Sequence, residues 1–99
     1  MNLDRVYVFF SDPGHGWLAV PMEVLKYMGV ERLFTPYSYI SRSGKTAYLE
    51  EDVDSPLFVA HLHARNIRFR HIVRYANEMS SIRKLPGYPT VFPCPPSTT

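Results

Sequence analysis

Apolar residues in this chain come in short runs broken by glycine, proline and charge, and the period of each run separates strands from helices. Val6-Tyr7-Val8-Phe9-Phe10 is apolar at both alternating positions, which predicts a strand covered on both faces, or on one face plus a partner. Trp17 to Val20 predicts a short second strand after the loop Ser11 to Gly16. Pro21 then suits the first turn of a helix over Met22–Met28. Met22, Leu25 and Met28 share one face of it, Glu23 and Lys26 lie on the other, and Gly29 closes it as a left-handed cap. Two β-type runs, residues 37–41 and 45–49, flank Arg42-Ser43-Gly44, the signature of a hairpin with a type I turn and a bulge. Asp54 or Ser55 is placed to cap a second helix with Pro56 in its first turn, running to Arg65 and stopping at Asn66. Residues 67–75 then alternate, with Ile67, Phe69, His71, Val73 and Tyr75 on one side and Arg68, Arg70, Ile72 and Arg74 on the other.

The resulting order, β-β-α-β-β-α-β, predicts an α+β fold: a small mixed or antiparallel sheet of about five strands carrying two helices on one face. A chain of 99 residues holds one domain with a modest core, expected over residues 1–84. Residues 85–99 are proline-rich, cannot donate a continuous β-ladder, and are expected as an extended or disordered surface tail. No internal repeat is present.

Charge adds little as a total and more as a distribution. The formal net charge is only +2, compatible with nucleic acid or with an acidic protein surface, yet one face of the last strand is largely arginine. The lone Cys94 precludes an intrachain disulfide. The first residues lack a charged and then apolar leader, and no stretch approaches the roughly 20 apolar residues of a membrane span. A cytoplasmic protein with no membrane partner is expected.

The loop Ser11-Asp12-Pro13-Gly14-His15-Gly16-Trp17 gathers a carboxylate, an imidazole, two glycines and the sole tryptophan behind a strand. Gly14 and Gly16 would let backbone N–H groups turn towards an anion, with His15 or Ser11 adding a donor. The opposing reading is a turn set by Asp12 and Pro13, with glycines at positive φ and Trp17 anchoring the loop in the core. The spacing matches neither the P-loop nor the dinucleotide fingerprint, so no cofactor is expected. His15, His61, His63 and His71 lack zinc-ligand spacing, and no metal site is assigned. Ser11, Asp12 and His15 are catalytic residue types packed into one loop, whereas nucleophilic triads assemble from distant segments; no catalytic residue is assigned. Glu50-Glu51-Asp52-Val53-Asp54 lacks the glycine and closing glutamate of a calcium loop and is placed to meet a helix dipole. Arg68, Arg70 and Arg74, joined by Arg83, form the electrostatic footprint, to which Tyr37, Tyr39 and Tyr48 add stacking surface where they share its side of the sheet. A solvated face that blunts an edge strand is the competing explanation.

Phe10-Ser11-Asp12-Pro13-Gly14-His15-Gly16-Trp17-Leu18, Tyr37-Ser38-Tyr39, Tyr48-Leu49-Glu50-Glu51-Asp52 and Ser81-Ile82-Arg83 resemble segments of small uncharacterised proteins of phages and prophages, over most of positions 6 to 83. The resemblance implies bacterial host cytoplasm during infection and carries no activity. It favours an accessory protein that binds a host or defence protein stoichiometrically, as an anti-CRISPR-like inhibitor does. Two other readings fit the residues: a nucleic-acid or nucleotide binder using the arginine strand and glycine loop, and a small hydrolase. The candidate binding residues are Ser11, Asp12, Gly14, His15, Gly16, Trp17, Arg68, Arg70, Arg74 and Arg83.

Overall fold

Side chains alternate across a strand, so the burial of Tyr7, Leu18, Val20, Ala47 and Leu49 identifies one face of one sheet as the core side. The computed structural model describes residues 4–78 and 80–90. Its elements are β1 (Arg5–Ser11), β2 (Gly16–Pro21), α1 (Met22–Met28), β3 (Tyr39–Ile40), β4 (Thr46–Glu50), α2 (Asp54–Ala64), β5 (Phe69–Tyr75) and a 3-10 turn over Ser81–Lys84. The strands form one mixed sheet in the order β3-β4-β2-β1-β5, in which β1 and β5 run parallel and the other neighbours antiparallel. The α+β fold with five strands and two helices is the one the periodicity predicts.

Both helices lie on the core face. Val24, Leu25 and Met28 from α1 and Phe58 and Leu62 from α2 join Tyr7, Leu18, Val20, Ala47 and Leu49 in one cluster. Side chains of this size contribute roughly 1.5–3 kcal/mol each on full burial, so this layer holds the domain together. Phe58 meets Tyr7 edge to face at 5.5 Å, and Phe69 continues that stack at 6.3 Å from Tyr7. Helix α1 ends as its sequence predicts, on Gly29 at φ 73°. The β3–β4 turn also follows the prediction, with Gly44 at φ 75° and its N–H donated to the Ser41 carbonyl at 2.8 Å.

Helix α2 starts differently from expectation. Val53 occupies the cap position and supplies no side-chain bond; Glu50 does the capping from β4, its carboxylate accepting the N–H of Asp52 at 2.8 Å, Val53 at 2.6 Å and Asp54 at 2.8 Å. That frees Asp54, fully buried, to tie the α1–β3 connection, where its Oδ2 accepts Thr35 N, Thr35 Oγ1 and the Ser38 hydroxyl. The alternation predicted for β5 is present, but burial follows it only at the start. Phe69 packs on the core, whereas Val73 and Tyr75, on the same side, are 60% and 63% exposed because no helix reaches them.

After β5 the chain crosses the helix-free side of the sheet and reaches its far edge. Ile40 N donates to the Pro86 carbonyl at 2.9 Å and Tyr88 N to the Ser38 carbonyl at 2.7 Å, so residues 86–88 seal the outer edge of β3. Tyr88 is 2% exposed, stacks edge to face on Phe34 at 5.8 Å, and donates its hydroxyl to the Glu31 carbonyl. The domain therefore continues past residue 84, and the surface tail expected from residue 85 does not begin before Tyr88. The proline at 86 is tolerated because its carbonyl, not a missing N–H, makes the edge bond. Residues 91–99, the rest of the expected tail with Cys94, lie outside the described residues.

This docking makes truncation costly. Tyr88→Ala is expected to destabilise the domain by about 3–5 kcal/mol, the range for emptying a large aromatic site, and Tyr88→Phe by about 1 kcal/mol through the lost hydrogen bond. A chain ending at Lys84 should lose at least as much as Tyr88→Ala. Urea unfolding of the three variants checks this; a truncated chain with an unchanged midpoint would show the docking to be energetically idle.

Candidate functional site

The glycine loop joins β1 to β2, and its geometry is set by Asp12. Asp12 Oδ1 accepts Gly14 N and His15 N at 2.9 Å each, while Asp12 N donates to the His15 carbonyl at 2.9 Å. The loop is thus a turn set by Asp12, as the opposing reading of the sequence expects, and the Gly14 and His15 N–H groups are taken by the loop's own carboxylate. From the far side, Ser80 N donates to Oδ2 at 2.8 Å, and Arg83 closes on the same carboxylate with Nε on Oδ2 and Nη2 on Oδ1, both at 2.8 Å. The Arg83 guanidinium, aided by the Ser80, His15 and Gly14 N–H groups, holds the Asp12 carboxyl well below the usual carboxylate range, against the opposing effect of burial. The same pairing raises Arg83.

The two glycines are required by crowding rather than by backbone sign, since only Gly29 and Gly44 among the described glycines have positive φ. A Cβ on Gly16 would collide with the Phe9 ring, and one on Gly14 would meet Arg83 Nη2 at 2.8 Å. Trp17 anchors the loop, but on the helix-free face beside Phe10 and Glu50 rather than in the core where the second reading of the sequence places it. It is 2% exposed, with the Arg83 guanidinium 5.3 Å above its ring and Tyr39 edge to face at 6.1 Å. Ser11 is the last residue of β1, paired with Gly16 and Tyr75. His15 is exposed at the loop tip, 6.1 Å from Trp17. Of the loop residues, Asp12, Gly14, Gly16 and Trp17 are committed to the fold, and Pro13 and His15 present their side chains to solvent.

The arginines separate into two groups. Arg83 is inside the clasp, remote in role from the others. Arg70 and Arg74 project from β5 on the helix-free side, are exposed, and have no ion pair among the described residues. Arg68 precedes the strand, with a 3.7 Å contact to Asp4 on a 92% exposed side chain, a pair of little energetic weight. The β1–β5 and β2–β4 registers set Ile72 beside Val8 and Ala19 beside Tyr48, and place Arg74 beside Phe10. The helix-free face is therefore an apolar sheet surface, with Val6 50% and Ile72 45% exposed, rimmed by two arginines at its open edge. Tyr39 and Tyr48 share that face, as the sequence required of them to act with the arginines. Phe10 and Tyr48 are half-buried and packed edge to face at 6.2 Å.

The histidines do not converge. His61 and His63 sit on α2, where His61 meets Arg65 at 3.0 Å and His63 lies 5.9 Å from Phe69; His71 is on β5 and His15 on the loop. Among the described residues no three His, Cys, Asp or Glu side chains are grouped to hold a metal ion. No helix of these residues is long and apolar enough to cross a membrane. The all-apolar run of β1 signals cover on both faces or by a partner and so gives no sign that Val6 is half exposed, whereas the alternation of β5 places Ile72 on the arginine side. No family model matches the chain, and no curated protein or solved structure is significantly similar to it.

The Asp12 clasp implies a defined acid response. Because folding depresses the Asp12 carboxyl, its stabilisation is complete above the unfolded value of about 4 and is lost as the pH falls below it. Asp12→Asn should lower the thermal midpoint at neutral pH and flatten the acid limb of midpoint against pH. Gly16→Ala should lower the midpoint through the Phe9 clash without changing that limb. Parallel acid limbs in wild type and Asp12→Asn would show that another carboxylate governs acid unfolding.

Proposed function

We propose that this protein acts by stoichiometric binding of a protein partner, using the helix-free face of its sheet and the open edge of β5, and has no catalytic role. The observation that carries this reading is the composition of that face beside its open edge: aliphatic side chains of Val6 and Val8 on β1 and Ile72 on β5, with exposed Arg70 and Arg74, unpaired among the described residues, flanking Ile72 along the edge strand. An apolar centre with an arginine rim is how protein interfaces are built, and arginine is among the residues that dominate their energy. Two exposed guanidinium groups on one edge call for a partner that is acidic where it meets β5. The resemblance to phage proteins supports a host or defence protein as that partner, with inhibition as the consequence of occupying it.

Nucleic acid is the second reading, supported by the arginines and by the tyrosines on their side of the sheet. It is the weaker because base stacking needs free ring faces, and Phe10 and Tyr48 are turned against each other. Hydrolysis has less support still, since both Asp12 oxygens and the Arg83 guanidinium are spent on each other.

Affinity capture from bacterial lysate, with and without nuclease, tests the proposal. Wild-type protein should retain one stoichiometric protein after nuclease treatment. Arg70→Glu and Ile72→Asp should each abolish retention while leaving the unfolding free energy from urea titration within about 0.5 kcal/mol of wild type, as surface substitutions do. Capture that disappears with nuclease and falls steeply with salt would replace this reading by the nucleic-acid one.

A further inference from the structure

On the other edge of the sheet, between the glycine loop, β3 and the start of α2, lies an open cleft of about 340 Å³. His15, Trp17, Tyr37 and Tyr39 line it with four rings, and Glu50 and Asp52 with two carboxylates. Arg83 also borders it, but that charge is matched by Asp12 at 2.8 Å, so the lining as a whole is negative. We propose that this cleft is a binding site for a guanidinium group, an arginine side chain that enters between Tyr37 and Tyr39 and pairs with Asp52.

Three observations lead to this ligand. Tyr37 stands 79% exposed at the mouth of the cleft, where burial gives a large ring no reason to be. Asp52 uses its backbone N–H on Glu50, while its carboxylate has no hydrogen bond among the described residues. Glu50 is held rigid by the three N–H groups at the start of α2 and keeps a fixed negative charge in the wall. Aromatic faces attract cations through their quadrupole, more so beside carboxylates. The cleft already shows the geometry once, with the Arg83 guanidinium 5.3 Å over Trp17. Arginine is preferred to lysine because its planar group stacks on rings while its N–H fork addresses a carboxylate. A phosphate or carboxylate ligand is disfavoured by the charge of the wall.

Trp17 is the only tryptophan in the chain, so its fluorescence reports on this cleft. Titration of the whole protein with N-acetyl-arginine amide, with an acetylated Gly-Arg-Gly amide peptide, and with the citrulline counterpart of each tests the proposal. Both arginine compounds should give a saturable change in Trp17 emission and both citrulline compounds none. Tighter binding of the peptide would assign the site to an arginine of a polypeptide, and equal binding to a free guanidinium metabolite. Tyr37→Ala and Asp52→Asn, both at exposed positions, should each weaken binding roughly two- to five-fold with the thermal midpoint unchanged. An equal response to citrulline, an absent response to arginine, or unaltered binding in both variants would overturn the assignment. None of these outcomes depends on Arg70 or Ile72, so the site stands or falls separately from the proposed partner surface.

Discussion

The Asp12–Arg83 pair is the constraint on which the rest of the architecture depends. Asp12 is 4% exposed and accepts five hydrogen bonds, from Gly14, His15 and Ser80 N–H groups and twice from Arg83. A buried carboxylate is costly unless paired and fully bonded, and here the pairing spans 71 positions of sequence. The β1–β2 loop takes its shape from the Asp12 turn, and the segment after β5 is tied to that loop through Ser80 and Arg83, alongside the buried Ile82 and the Arg42 bond to the Lys84 carbonyl. Once Arg83 is seated over Trp17, the chain is directed towards β3, where residues 86–88 complete the sheet edge. One ion pair therefore couples a hairpin loop, a crossing segment and the opposite edge.

That arrangement explains why the two faces of the sheet differ. Two helices cover the core face, with fully buried Leu25, Leu49, Phe58 and Leu62. Among the described residues the other face receives only the crossing segment, which is confined by the clasp to the end carrying Trp17. Adjacent strands lie about 4.8 Å apart, so a single extended segment cannot shield the whole of a five-stranded surface. Val6 and Ile72 remain open beyond it, and β5, farthest from both helices along its C-terminal half, is exposed on both sides. The available surface is a consequence of how the clasp directs the chain.

Local rules made much of the fold legible in the sequence. Gly29 and Gly44 sit where a helix cap and a hairpin turn need positive φ, and the alternation in β5 assigns its arginines to one side correctly. What escaped were contacts whose partners are far apart in sequence. Asp12 was legible as a turn-former and a candidate binding residue, but its pairing with Arg83 was not, because nothing nearby signals Arg83. Glu50 looked like one member of an acidic run, yet it caps α2 because β4 ends beside the helix start. Tyr88, between prolines, looked like tail, since its burial depends on Phe34 and Glu31. Gly14 and Gly16 announced a special backbone, but the need is for space beside Arg83 and Phe9. The cleft was harder still to see, because Tyr37, Tyr39, Glu50 and Asp52 meet His15 only after the sheet has ordered β3, β4 and β2.

The charge on β5 also resolves a conflict inherent in an open strand. An unpaired edge invites another strand, and a protein that uses such an edge must avoid its own copies. Antiparallel pairing of two β5 strands about Ile72 would set Arg70 directly opposite Arg74 of the second copy, twice over. Like charges at directly opposed positions destabilise a sheet, and neither arginine has a carboxylate among the described residues to absorb the repulsion. The same two residues that disfavour self-pairing favour a strand or surface bearing carboxylates at that spacing. On the proposed function, protection of the edge and preference for an acidic partner would therefore be one physical property, and the competing views of the arginine stripe, as a solvated guard or as a docking rim, would describe the same residues acting against different neighbours.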